Sequence, residues 1–310
     1  MKRREFLQVL GAGCWGSGVG APVLRPRDDI FVERWSWAMG QAVHVMVFAR
    51  SEPEGLDACA AALAELRRIE ARLTLFDPAS ELCELNRRAG RKDLRVDADL
   101  RAVLTLANGF KRVTGGAFDV AVEPLMRAWG FHAPRTRAPT AAELREAREA
   151  VAAAVVEIDG DRARLPSAHT QLDFGGIGVG YGLDRTVAVL SARGVRRAFV
   201  DVSGDVAALG APPGEAGWLV EIADPTRVDR SVAATRLRDA ALATSANTVS
   251  RVRYGSLVAG HVMDPATGWP ARALTQATVV ARTAVAADAL STAMLVSGKE
   301  PAGVFRAYRG

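Results

Sequence analysis

Cysteine, lysine and aromatic side chains are all scarce in this chain of 310 residues, which has three Cys and 6% Phe, Trp and Tyr together. Cys14 lies near the start, and Cys59 and Cys83 have no CxxC spacing, which excludes a disulfide framework and a zinc ribbon. Both are expected to be small buried side chains. Only four of the 40 basic residues are lysine (Lys2, Lys92, Lys111 and Lys299), and the 36 arginines are scattered. Despite a formal charge of +5, no basic stripe is interleaved with stacking aromatics, so a nucleic-acid partner is not expected. Beyond the first 25 residues no run of 18 apolar residues occurs, which argues against a membrane-spanning helix. Internal repeats and low-complexity linkers are absent as well.

What remains is a globular composition, 49% hydrophobic with mean hydropathy +0.06, long enough for one large or two ordinary domains. Residues 1–25 stand apart: Arg3 and Arg4 precede Phe6, Leu7 and a weakly apolar, glycine-rich stretch to Leu24. That order of basic and apolar regions resembles a twin-arginine export signal, so a periplasmic or otherwise exported protein is expected. Cys14 after LGAG matches a lipobox poorly, and a lipid anchor there is not expected.

From about residue 30 to 310 strands and helices alternate. WAMGQAVHVMVFA (37–49) alternates like a strand, and the following segment sets Leu56, Ala60, Leu63, Leu66 and Ile69 at helical spacing. Residues 80–88 and 97–112 read as helices, and TAAELREAREAV (140–151) carries a capping box of Thr140 and Glu143. VVEIDGDRARL reads as a hairpin turned at Asp159-Gly160, and 231–255 as a hairpin-like stretch. The pattern predicts an α+β fold of two intimately packed lobes.

Residues 172–184, LDFGGIGVGYGLD, hold five glycines between two aspartates. A dinucleotide-binding loop needs G-x-G-x-x-G after the first strand of a βαβ unit, and both spacing and position fail here. A strand ending at Asp173, a turn without side-chain bulk and a helix from about Gly180 are predicted instead. Such a turn lets backbone approach a phosphate or a metal closely.

Four more stretches flank that run: TLFDPASELCELN (74–86), TGGAFDVAVEPLMRAWGF (114–131), HVMDPATGWP (261–270) and AADALSTAM (286–294), with MGQAV near the start. In this order they resemble the ApbE family, the FAD:protein FMN transferases, from about residue 33 to 298. The resemblance implies cleavage of the FAD diphosphate, release of AMP, and transfer of FMN to a Thr or Ser hydroxyl of an acceptor with a D-x-x-[ST]-G-A-[ST] type motif. It implies Mg²⁺ held by Asp288 and Thr292, whose i, i+4 spacing puts both on one helix face, and by a turn carbonyl, taken as Gly176.

By position, the family's FAD contacts fall on Met39, Phe76, Ala117, Phe118, Asp119, Asp173, Val179, His261 and Val262. His261 or Asp288 would serve as general base. Asp264 and Thr267 could serve only their turn, Trp129 and Phe131 are expected to pack the lobe, and His44, His132 and His169 to be structural. Val179 stands where the family has lysine, removing one cation near the phosphates, for which Arg253 is a candidate replacement. That departure keeps two alternatives open, an FAD-binding protein and an FAD pyrophosphatase.

Overall fold

The computed structural model describes residues 29–300 apart from positions 228 and 249, so the basic segment at 1–25 and Cys14 lie outside the described residues. Strands β1 (Ile30–Ala38) and β2 (Gln41–Ala49) precede α1 (Glu52–Leu73), α2 (Glu81–Arg87), β3 (Leu94–Arg95), α3 (Ala98–Val113), α4 (Glu123–Trp129) and α5 (Ala141–Ala152). The short strands β4 (Glu157–Asp159) and β5 (Arg162–Arg164) lead to α6 (Gly178–Ala192). The second half runs through β6 (Arg197–Val202), β7 (Asp205–Leu209), β8 (Trp218–Ala223), β9 (Ser231–Leu237), β10 (Ala240–Ala246), β11 (Arg251–Tyr254), β12 (Leu257–Gly260) and β13 (Gln276–Ala281) to α7 (Ala284–Ser297).

Six strands form one antiparallel sheet in the order β1-β2-β6-β7-β10-β13. Period-two alternation sends Val43, Val45 and Val47 of β2 and Ala198, Val200 and Val202 of β6 to one face, where they meet α1 and α6. Met46, Phe199, Val206 and Ala208 point the other way, under Trp218 and Leu237 of the β8–β9 pair. On α1, Ser51 caps the first turn, and the buried stripe runs Ala58, Cys59, Ala62, Leu63, Leu66, Ile69, Leu73. It differs from the expected stripe at Ala60, which is exposed, because at about 3.6 residues per turn Ala60 points away from the face shared by 58/59, 62/63, 66, 69 and 73.

The other lobe packs α2, α3 and the small β3-β5-β4 sheet against residues 118–121 and 172–181. Beside it, α4 and α5 pack under the β11–β12 hairpin, and α5 begins with the expected Thr140–Glu143 capping box. The α+β expectation of two closely packed lobes therefore holds, with α6 and α7 contributing to both. Cys59 is buried and Cys83 half-buried, both as free thiols.

Four local expectations change. The stretch 37–49 is two strands around a tight turn at Met39-Gly40, with φ of 57° and 67°. Residues 170–174 form no strand, because the Asn86 side chain takes the partner's place: it donates to Leu172 O at 2.9 Å and accepts from Leu172 N at 2.8 Å. The stretch 231–255 is divided among three sheets, with β9 on β8, β10 between β7 and β13, and β11 on β12. The hairpin expected at 159–160 turns one residue later, at Gly160-Asp161.

The joint between α6 and α7 sets the site. Neither helix has a side-chain cap of its own, at Ile177 or at Thr283, and four N–H groups at each start need acceptors. Each helix supplies the other. Asp184 of α6 accepts from Ala284 N at 2.7 Å and Val285 N at 3.0 Å, and Asp288 of α7 accepts from Gly180 N at 3.0 Å. In both helices the carboxylate lies four residues after the amide served, so the exchange is reciprocal. A Cβ on Gly180 would stand 2.5 Å from the Ala284 carbonyl oxygen, so only glycine allows the approach.

Replacing Gly180 by Ala should therefore destabilise the fold by about 1–3 kcal/mol through overpacking against backbone. Asp184→Ala should cost about 1–2 kcal/mol for the lost cap. Urea unfolding of both variants measures this, and midpoints equal to wild type would remove the joint from the stability account.

Candidate active site

The α6–α7 joint places the glycine turn at 174–177 over the second turn of α7. Gly176 lies there without side-chain bulk: a Cβ would sit 3.0 Å from Thr292 Oγ1 and 3.5 Å from the Phe118 ring. The Thr292 hydroxyl is set by Ser245 of β10 at 3.1 Å, and Ser245 also bonds Ser291 at 2.8 Å. Of the residues expected as metal ligands, Gly176 and Thr292 are thus neighbours, and Asp288 lies one turn before Thr292 on α7 with its carboxylate on Gly180 N, a cradle set by Ser245, a positioning side chain that no motif reading assigned.

Asp288 is 5% exposed. Burial holds its pKa well above the usual carboxylate range, with further upward pressure from the Asp205 and Asp184 charges, while the Gly180 N–H works against the rise. Asp205, at the start of β7, accepts from Thr244 N at 3.0 Å. Burial raises its pKa to about 6, opposed by that N–H and reinforced by Asp201. A buried carboxylate repelled by a half-buried one is costly unless a proton or a cation relieves the pair.

Around the cradle the expected flavin contacts take distinct positions. Met39 occupies the left-handed region, which a side chain adopts at a cost of about 1–2 kcal/mol. Gly40 N donates to Glu70 Oε1 at 3.0 Å, pinning the turn to α1, and the methionine reaches the α6 surface, with Cε 3.5 Å from where a Gly182 Cβ would stand. Phe118 is buried against Phe110, and Ala117 is half-buried beside it. Asp173 donates its N–H to Val120 O at 2.7 Å and accepts from Gly175 N at 2.7 Å on its side chain. Phe76 is 79% exposed, edge-on to His132.

Asp119, expected at FAD, is already engaged on both oxygens. One oxygen takes Ala121 N at 2.9 Å and the other pairs with Lys111 Nζ at 2.8 Å, beside a cavity of about 370 Å³ lined by Asn108, Lys111 and Val156 among others. Val179 packs against the sheet-side core. Arg253 stands on the exposed side of the β11–β12 hairpin, whose other side packs on α4 and α5, and this placement gives no support to Arg253 as a replacement for the lysine.

His261 follows β12, with its ring centroid 6.5 Å from that of Phe131. Its Nδ1 is buried without a hydrogen-bond partner, and burial holds its pKa below the usual histidine value, partly offset by a Ser250 backbone bond. Val262 is clamped by its backbone, accepting from Ala271 N at 2.8 Å and donating to Asn247 Oδ1 at 2.9 Å. Asp264 and Thr267 bond to each other inside their turn, and Trp129 donates to Gly268 O, so these residues serve local structure. His44 stacks on Trp35 and bonds Glu33 away from the cradle, whereas His132 meets Glu123 and Asp173, a placement its loop sequence did not predict.

Asp205→Asn tests the buried acid pair. A folded pKa of about 6, above the unfolded value, stabilises the fold while Asp205 is protonated, below about pH 4, and this contribution is lost as pH rises through about 6. Urea titrations of the metal-free protein should show the variant gaining on wild type by on the order of 2 kcal/mol between pH 4 and 7. A pH-independent difference would contradict the arrangement.

Residues 39–307 match the ApbE family. The FAD:protein FMN transferase of Haemophilus influenzae is 29% identical over 247 residues, which cover 76% of this chain and 71% of that protein. The FAD:protein FMN transferase of Rhodobacter capsulatus is 30% identical over 297 residues, covering 94% of this chain but 56% of the relative, so the chain spans little more than half its length. The crystal structure of the ApbE protein of Thermotoga maritima superposes with a TM-score of 0.79 at 29% identity, covering 86% of this chain and 87% of that one.

Proposed function

This chain belongs to the ApbE family, and we propose that it is an FAD:protein FMN transferase that moves FMN from FAD to a Thr or Ser hydroxyl of an acceptor protein, releasing AMP. Most support comes from oxygen-bearing groups where α6 meets α7: Gly176 beside Thr292, and Asp288 one turn before Thr292 on α7. Carboxylate, hydroxyl and carbonyl oxygens are the hard donors that Mg²⁺ prefers, and the Asp288–Asp205 repulsion is the kind that a divalent ion relieves. Bound there, Mg²⁺ would offset the negative charge of the FAD diphosphate.

The chain's own groups supply the rest. The amides at the starts of α6 and α7 lie at the positive ends of their helix dipoles, and the side-chain-free turn at Gly175-Gly176 leaves room for phosphate oxygens. His261, kept neutral at neutral pH by burial and with Nδ1 uncommitted, is the better base of the two candidates, because Asp288 is already engaged with Gly180 N. The acceptor hydroxyl oxygen bonds to the FMN phosphorus, its proton passes to the imidazole, and the bond from that phosphorus to the bridging oxygen breaks so that AMP departs with the bridging oxygen. Exposed Phe76 and the Met39 side chain offer apolar surface to the flavin or adenine ring. The acceptor site would carry the D-x-x-[ST]-G-A-[ST] pattern, and export by the twin-arginine route would bring the enzyme to acceptors outside the cytoplasm.

Val179 favours a second reading: without a lysine there, water could replace the acceptor hydroxyl, giving free FMN and AMP. Incubation with FAD, Mg²⁺ and an acceptor peptide separates the two. Transfer predicts fluorescent flavin that stays on the denatured peptide and disappears with chelator, whereas free FMN and AMP without labelled peptide would overturn it. Asp288→Asn should lower labelling by about 100-fold or more. His261→Gln should lower it by about 100-fold and abolish the acid limb of the pH profile, which in wild type lies below the usual histidine range. Full rates in His261→Gln would exclude the imidazole as base.

A further inference from the structure

Beside Phe76 and Asp173, both expected at the flavin, stand two side chains to which that chemistry gives no part, Glu123 and His132. Glu123, the first residue of α4, is fully buried, and its two carboxylate oxygens are divided between Arg127 Nε at 2.6 Å and His132 Nδ1. His132 lies two residues beyond Gly130, whose left-handed φ of 86° ends α4 and turns the chain back toward its start. Asp173 arrives from the loop before α6, and one side-chain atom each of Glu123, His132 and Asp173 lie within 4.8 Å of one another. The Phe76 ring closes the outer side, edge-on to the imidazole with centroids 5.5 Å apart. Because both Glu123 oxygens are already bonded, this is a chain of charges, Arg127–Glu123–His132–Asp173, and not an open metal site.

We propose that His132 is a positioning residue for FAD: clamped by Glu123, its imidazolium orients the Asp173 carboxylate beneath Phe76 so that Asp173 accepts hydrogen bonds from donor groups of the flavin substrate. The inference rests on the transferase reading for the identity of the substrate and on the cluster for the rest. Glu123 and Arg127 of α4 and Asp173 of the glycine-turn loop are the charged groups that bear on His132, and Phe76 adds only an uncharged ring. Burial disfavours the charged imidazole, but the Glu123 hydrogen bond and the Asp173 and Glu123 charges outweigh it and hold its pKa above the ordinary value. The imidazolium in turn opposes the rise that burial imposes on Asp173. Without it, Asp173 would face the buried Glu123 charge with no counter-ion, and the carboxylate would take up a proton or turn away.

Two variants and one direct measurement test this on the full chain. His132→Gln should raise KM for FAD about tenfold while changing kcat less than about threefold, the signature of lost ground-state positioning. Wild-type FAD affinity should weaken as pH rises through the His132 titration, above the usual histidine range. That limb should vanish in His132→Gln and move to lower pH in Glu123→Gln. In NMR titrations of the histidine Cε1–H signals of wild type, FAD should shift the His132 titration to higher pH. Unchanged KM and pH limb in His132→Gln, or a His132 signal indifferent to FAD, would overturn the proposal; the NMR result decides even if both variants unfold. A wild-type protein that neither binds nor cleaves FAD would overturn the transferase reading along with it, whereas one that binds FAD equally well without His132 overturns the positioning role alone.

Discussion

Two helices that begin at the same point and lack caps of their own must find acceptors for their first amides, and α6 and α7 find them in each other. The exchange of Asp184 for Asp288 fixes distance, crossing and rotation at once, because each carboxylate lies one turn beyond the amide that the other helix serves. Glycine at 180 is the steric condition for that contact. From it follow the position of the turn at 174–177, the inward aim of Asp288 and the convergence of two helix dipoles on one cradle. The six-stranded sheet holds the pair from behind through Ser245 of β10 and the α1–α6 contact.

Several features of the site work against stability. Buried Asp288 is repelled by half-buried Asp205, Met39 occupies a backbone region that disfavours side chains, and the His261 Nδ1 is buried without a partner. Each costs on the order of 1–3 kcal/mol in an ordinary core. Met39, His261 and Asp288 are residues that the family resemblance assigns to FAD or metal, and a cation at Asp288 would relieve the acid pair, so unfavourable terms carried by these residues fit a binding site. Elsewhere the same residue types are satisfied: Asp99 takes Tyr181 Oη and Arg68, and Asp119 takes Lys111.

How far the sequence revealed this depended on how local each cause is. The capping box at Thr140 and the helices at α2 and α3 were legible because spacing along one segment defines them. Met39-Gly40 was missed as a turn because methionine in a left-handed conformation is no turn signal; a contact with α1 and α6 imposes it. A strand ending at Asp173 was expected, but the partner that Leu172 finds there is the side chain of Asn86, distant in sequence. Asp184 as a cap, Ser245 as the aim of Thr292, and His132 between Glu123 and Asp173 all depend on pairs separated by 9 to 101 residues, which no periodicity reports.

The claim on which all of this depends is that the α6–α7 joint, in its capped form, is a divalent-cation site. Anomalous diffraction from crystals soaked in Mn²⁺, a hard ion of similar coordination chemistry to Mg²⁺, tests it most directly. The account predicts one strong peak bounded by the Asp288 carboxylate, the Thr292 hydroxyl and the Gly176 carbonyl, with the Asp184 cap intact. A peak at Glu123, His132 and Asp173 with none at Asp288, or a bound ion that requires the two helix starts to separate, would contradict it.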